Sequence, residues 1–181
     1  MKIVFDTGSV ESYRQFLKVK ALPAYHMRGR LATFPDEYAK TFGLEAETGS
    51  TDYTPEPFLF DYQKAIVALA IQKRKFAVFA DCGLGKSLIL LSYARHISST
   101  TNKRILIITP PMVVPQLAAE AKRFWGEDFE TDIVRAAGLQ EWLDGDGCRI
   151  GITNYEALKD ETTAGNLGAL ILDESSILKS H

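Results

Sequence analysis

Two short stretches hold the residues whose types and order could do chemistry. The first is Asp81-Cys82-Gly83-Leu84-Gly85-Lys86-Ser87, a glycine turn running into a lysine and a serine. Glycines there let backbone N–H groups approach phosphate oxygens. A lysine in this place reaches β- and γ-phosphates, the serine hydroxyl binds Mg²⁺, and a helix opening at the lysine adds positive dipole. The full pattern G-x-x-x-x-G-K-S puts its first glycine where this chain has Ala80. The second stretch is Asp173-Glu174, an acidic pair directly after the apolar run LGALIL. An aspartate at a strand tip can hold Mg²⁺ directly or through water, and its neighbouring glutamate can orient and deprotonate an attacking water. Either stretch alone also has a plain reading, as an ordinary loop or a solvated turn. Together they describe the cleavage of a nucleoside triphosphate.

Such groups must be brought together by the elements around them. Residues 76–80, FAVFA, read as a short buried strand entering the glycine turn, and the apolar residues after Ser87 read as a helix. Residues 104–109, RILIIT, form a second buried-type strand, which Pro110-Pro111 end. Pro115 suits a first helical turn, with Leu117, Ala121 and Phe124 on one side of its helix. Residues 129–134 are a weaker strand, 139–143 a short helix and 149–153 a further strand, with Asn154 as a cap for residues 155–158. Residues 167–172 are the last strand. Apolar strands alternating with helices predict an α/β fold with a parallel sheet covered by helices on both faces. Ligands then sit beyond the C-terminal strand ends, where Ala80, Thr109, Thr153 and Asp173 all fall.

Just upstream, a helix beginning near Asp61 has a body, 65–71, that is apolar on nearly all sides, which implies burial. Gln63 lies in its first turn. A side-chain amide donates and accepts at once, as reading an adenine edge requires, although by itself Gln63 also suits a surface position. Residues 45–57 change character: they hold four carboxylates, two prolines and no lysine or arginine, and read as a linker. Before them lies a small α+β accessory unit, 1–44, with a strand in 1–6, a helix over 10–20 and a short helix over 35–42. Its stretch 18–30 carries Lys18, Lys20, Arg28 and Arg30 with Tyr25 and His26 between. This suits either a solvated face or a phosphate-backbone contact.

Composition narrows the classes. The chain has 181 residues, 46% hydrophobic and 24% charged, as expected of a soluble globular protein. No apolar run is long enough to span a bilayer and no secretory signal is visible, so a cytoplasmic setting with free thiols is expected. Cys82 and Cys148 and the scattered histidines lack metal-ligand spacing. A net charge of −2 and a pI near 5.9 argue that any nucleic-acid contact is local.

The order Gln63, Asp81-Cys82-Gly83-Leu84-Gly85-Lys86-Ser87, Val113-Val114-Pro115-Gln116, Thr153-Asn154-Tyr155-Glu156-Ala157-Leu158, Asp173-Glu174-Ser175-Ser176 and Lys179 resembles the first RecA-like lobe of superfamily-two helicases. The SWI/SNF-type DNA translocases are the branch it looks most like, with a phage-like flavour that would place it in a bacterial or infected host cell. The resemblance covers residues 58–181. It implies an ATP hydrolase, with Gln63 on adenine and with Cys82, Gly83, Leu84, Gly85, Lys86 and Ser87 around the phosphates. Ser87 and Asp173 would hold Mg²⁺, and Glu174 would be the catalytic base. Pro110, Gln116, Thr153, Asn154 and Tyr155 would lie along nucleic acid, with double-stranded DNA as the partner and an RNA helicase lobe as an alternative. Ser175-Ser176 replaces the family's commoner Ala-His or Ala-Asp, so coupling from ATP to nucleic acid would not use the usual histidine.

The family motor uses a second RecA-like lobe, whose arginines stabilise charge on the transferring phosphate. That lobe is absent from this sequence, so the chain is expected to be a fragment or half of a split motor, binding nucleotide modestly and hydrolysing it poorly alone. Two other readings remain: a nucleotide-gated module completed by a partner chain, and a small phosphate-loop kinase. The kinase would need a basic substrate lid, and none is obvious.

Overall fold

The computed structural model describes residues 1–44, 52–81, 83–147 and 149–175. Cys82, Cys148, Ser176 and Lys179 lie outside the described residues. The chain divides into two units, Met1–Gly49 and Ser50–His181.

The first unit is a three-stranded antiparallel sheet with one α-helix and a 3-10 helix, Asp36–Phe42, where a short helix is expected. Its elements are β1 (Lys2–Val4), α1 (Val10–Lys20), β2 (His26–Arg28) and β3 (Leu31–Thr33), with β3 central in the order β1-β3-β2. Ser9 caps α1 by accepting from the Ser12 N–H. Gly29, at φ +59°, lets β2 turn into β3 in two residues. Phe5, Val19, Ala32 and Phe34 form the core. Register puts Lys2, Thr33 and His26 side by side, and next to them Val4, Leu31 and Arg28. Ile3, Ala32 and Met27, between these rows, point into the core with Val19 of α1. His26 and Arg28 therefore occupy the sheet face opposite α1. The basic stretch is divided: Lys18 and Lys20 belong to the helix, and Arg28 to the far side of the sheet.

The second unit is built on a four-stranded parallel sheet. Its elements are α2 (Asp61–Lys73), α3 (Lys86–Thr100), β4 (Arg104–Thr109), α4 (Val114–Trp125), β5 (Thr131–Ile133), α5 (Leu139–Asp144), β6 (Ile150–Asn154) and β7 (Leu167–Leu172). The strand order is β5-β6-β4-β7. Every residue of β4 is buried, as a strand with both faces covered must be. Ile105 and Ile107 pack with Leu91 and Ala94 of α3 and Leu117 and Ala121 of α4. Leu106 and Ile108 face the other way, onto Val134, Leu139, Leu143 and Ala157. Each such aliphatic side chain contributes about 1.5–3 kcal/mol on burial. Residues 52–57 fold onto this unit: Glu56 is buried and accepts hydrogen bonds from Tyr53, Arg95 and Trp125.

Two expectations need correction. Residues 76–80 are not a strand of the sheet; they run outside it, with Phe79 95% exposed. Among the described residues β7 pairs with β4 and with no second strand, so it is an edge of the described sheet. The body of α2 is also not buried on all sides. Its buried apolar residues are Val67 and Ile71, packing with Ile89 of α3, while Leu69 on the far side is open. One apolar stripe satisfies the packing, and the remaining alanines expose little area.

Candidate functional site

The sheet brings both chemical stretches to its C-terminal edge. Gly85 caps the start of α3 at φ +64°, and Gly83 sits at φ +85°. Gly85 is needed twice over, because a Cβ there would collide with Gln63 Nε2. Among the described residues, none beyond its chain neighbours lies within 4 Å of a Cβ position at Gly83.

Gln63 and Tyr62 hold the turn from behind. Gln63 Nε2 and the Tyr62 hydroxyl both donate to Leu84 O, at 3.3 and 3.0 Å. Gln63 Oε1 accepts from the Phe60 N–H at 2.9 Å, which ties the start of α2 to the same residue. Gln63 is 1% exposed, so it is not a surface glutamine. One N–H and one oxygen lone pair of its amide are used in these bonds, and because the side chain is buried an adenine contact would require it to be uncovered. Tyr62 carries no signal in the sequence beyond its place beside Gln63.

Lys86 joins the two stretches. Its Nζ donates to Ala80 O at 3.0 Å and lies 3.5 Å from Glu174 Oε1. Lys86 is 29% exposed and Glu174 49%, so solvent screens the pair. Such pairs contribute only about 0–1 kcal/mol, which leaves the lysine available to a polyanion. Ser87 comes next, at the second position of α3, and is half-buried.

Asp173 is held from three sides. Its Oδ2 accepts from the Thr109 hydroxyl at 2.9 Å, its N–H donates to Ile108 O, and its carbonyl accepts from the Tyr155 hydroxyl at 2.6 Å. Burial, then the nearby Asp173 and Glu174 charges, raise the Tyr155 phenol above its ordinary pKa, which keeps it a neutral donor. Glu174 adopts φ +52°, a left-handed conformation costly for a non-glycine residue. Thr109 is a further member of the site; its signal in the sequence is its position at the end of a strand whose inner residues, 105–108, are all apolar.

The expected nucleic-acid residues separate. Gln116 is exposed at the start of α4 and Pro110 is half-buried before it. Asn154 caps the turn after β6, accepting from the Ala157 N–H. Tyr155 is turned toward Asp173. Thr153 is a correction: it is 1% exposed and donates its hydroxyl to Val134 O at 2.7 Å, so it faces the interior and not a bound polymer.

Neither a protein-family model nor a curated protein matches the chain. Among the described residues, no three His, Cys, Asp or Glu side chains cluster as metal ligands, and no helix is long and apolar enough to cross a membrane.

Proposed function

We infer that residues 50–181 are the ATP-binding lobe of a RecA-like motor, a DNA-dependent ATPase of the helicase or translocase kind. The observation that carries this reading is Lys86 lying between Ala80 O and Glu174, with Asp173 fixed beside them by Thr109. Residues far apart in sequence meet at one sheet edge in the arrangement that phosphoryl transfer needs. The turn also fits a phosphate chain: no described residue crowds Gly83, Gly85 admits no side chain, and α3 presents its N-terminus there.

In this reading Lys86 leaves its weak partners to bind the β- and γ-phosphates. Ser87 and Asp173 hold Mg²⁺, which favours one or two protein oxygens together with substrate phosphates. Bound Mg²⁺ neutralises charge developing on the transferred group. Thr109 and Tyr155 fix Asp173, and Glu174 takes the proton of the attacking water. DNA as the polymer, duplex in preference to single-stranded, rests on the resemblance of the motifs. Pro110 and Gln116 are its most accessible contacts. Efficient turnover needs charge supplied opposite Lys86, from a second lobe or a partner chain, because Glu174 faces solvent. Without it the chain acts as a nucleotide-gated module.

The test is ATP hydrolysis by the chain, alone and with a second RecA-like lobe supplied in trans, with duplex DNA, single-stranded DNA, RNA or no polymer. Duplex DNA should stimulate most. Lys86→Ala and Glu174→Gln should each lower the stimulated rate about 100-fold or more. Hydrolysis unchanged in both variants contradicts the assignment.

A further inference from the structure

We propose that Tyr155 is a positioning residue for Glu174, and that its hydroxyl is the relay by which the turn after β6 sets the conformation of that carboxylate. This rests on the reading of Glu174 as the base that takes a proton from water.

Strand order puts the two residues on opposite sides of β4. Tyr155 follows β6, and Asp173-Glu174 follow β7. Neighbouring strands lie about 4.8 Å apart, so the tips of β6 and β7 are separated by roughly 10 Å. The Tyr155 side chain crosses the tip of β4 to close this gap, and its hydroxyl donates to Asp173 O at 2.6 Å.

Asp173 has other holds. Its N–H donates to Ile108 O and its carboxylate accepts from Thr109. What the Tyr155 hydroxyl adds is a grip on the peptide that joins Asp173 to Glu174. A peptide unit is planar, so holding its oxygen sets the direction in which the chain enters Glu174. Glu174 is there held at φ +52°, and among the described residues the other non-glycine residue at positive φ is Arg74. A left-handed glutamate persists only where its surroundings over-determine it. This conformation carries the carboxylate to 3.5 Å from Lys86 Nζ. With the hydroxyl gone, Glu174 can relax to a negative φ and its carboxylate leaves the lysine.

The turn that carries Tyr155 is itself stiff. Asn154 Oδ1 accepts from the Ala157 N–H, the Leu158 N–H donates to Tyr155 O, and Ala157 is buried with Leu106 and Ile108. Asn154 and Tyr155 are half-buried and Leu158 is exposed, so the turn can be reached from outside. Residues 154–158 move as one piece, and a polymer that presses on them shifts the Tyr155 hydroxyl and the peptide it holds. The sequence has Ser175-Ser176 where a coupling histidine would follow the acid pair. Tyr155 supplies a route from polymer to base that needs no such histidine.

The test is a double-mutant cycle on Tyr155→Phe, which removes only the hydroxyl, and Glu174→Gln, which keeps the side-chain size. ATP hydrolysis is measured with a second RecA-like lobe supplied in trans, with and without duplex DNA, and Mg-ATP affinity by calorimetry. Tyr155→Phe should lower kcat with DNA about tenfold or more and reduce the ratio of the rates with and without DNA, while binding Mg-ATP no more weakly than the wild type. In the Glu174→Gln background, Tyr155→Phe should lower kcat no further, because the carboxylate it positions is gone. An unchanged kcat or an unchanged ratio in Tyr155→Phe overturns the proposal. So does a fall by the same factor in both backgrounds, or a loss of affinity in step with kcat, either of which marks a merely structural role. Unchanged hydrolysis in Glu174→Gln instead contradicts the assignment of the base, and the proposal falls with it.

Discussion

The two flanks of β4 are built to opposite standards. On the β6 side there is no room for a methyl group: a Cβ on Gly151 would lie 2.7 Å from the Trp142 ring and 3.0 Å from Val134. Ile152 is fully buried, and Arg149 grips Asp132 with two 2.6 Å hydrogen bonds while the Trp142 indole N–H donates to the same carboxylate. On the β7 side Leu170 and Leu172 are exposed beside a cavity of about 710 Å³. Every residue proposed to act on nucleotide lies along this open side or at the strand tips above it. Packing is tightest on one flank, and the weakly held Lys86 and Glu174 are placed on the other, where tight packing would immobilise them.

Substitutions can break or sharpen this contrast. The largest effect is expected at the centre: Ile107→Ala removes a fully buried side chain shared by both flanks. It should cost about 2–5 kcal/mol in chemical denaturation. Next, Gly151→Ala should cost about 1–3 kcal/mol through overpacking. Asp132→Asn should cost roughly 1–3 kcal/mol, since it removes a charged acceptor with three donors. Its pH dependence has a definite sign. The Arg149 hydrogen bonds, chiefly, hold the Asp132 pKa below its ordinary 3.8. The stability this contributes is full above that value and is lost as the pH falls through the lower, folded-state pKa. The wild-type advantage over Asp132→Asn should therefore persist at neutral pH and shrink in acid below about pH 4. The smallest effect is expected on the open flank: Leu172→Ala should cost under about 1 kcal/mol. If removing most of the Leu172 side chain costs more than adding one carbon at Gly151, the contrast fails.

What was legible in the sequence divides along the same line. The strands Arg104–Thr109 and Leu167–Leu172 appear at the ends expected from their apolar runs, and Asn154 caps the turn it was expected to cap. Continuous apolar character is a strong signal for β4 because both its faces are covered. The same signal at residues 76–80 did not give a strand, since strand composition supplies no neighbour to pair with. The helix α2 misled in a related way: its alanines are apolar in type but small enough to leave exposed. In the first unit β2 and β3 went unseen, being three residues each about a tight turn at Gly29, too short for a period-two pattern to register. Thr153 illustrates a different limit. Its place at a strand end was legible, but the bond to Val134 O that turns it inward depends on β5, a distant element.

The measurement that bears most directly on the central claim is binding of Mg-ATP, by calorimetry, to the intact chain and to its Lys86→Ala and Glu174→Gln variants. The account predicts that the wild type binds, that Lys86→Ala loses about tenfold or more in affinity, and that Glu174→Gln binds at least as tightly, having lost the carboxylate that competes for Lys86. Equal affinity in wild type and Lys86→Ala, or no binding by the wild type, would contradict it.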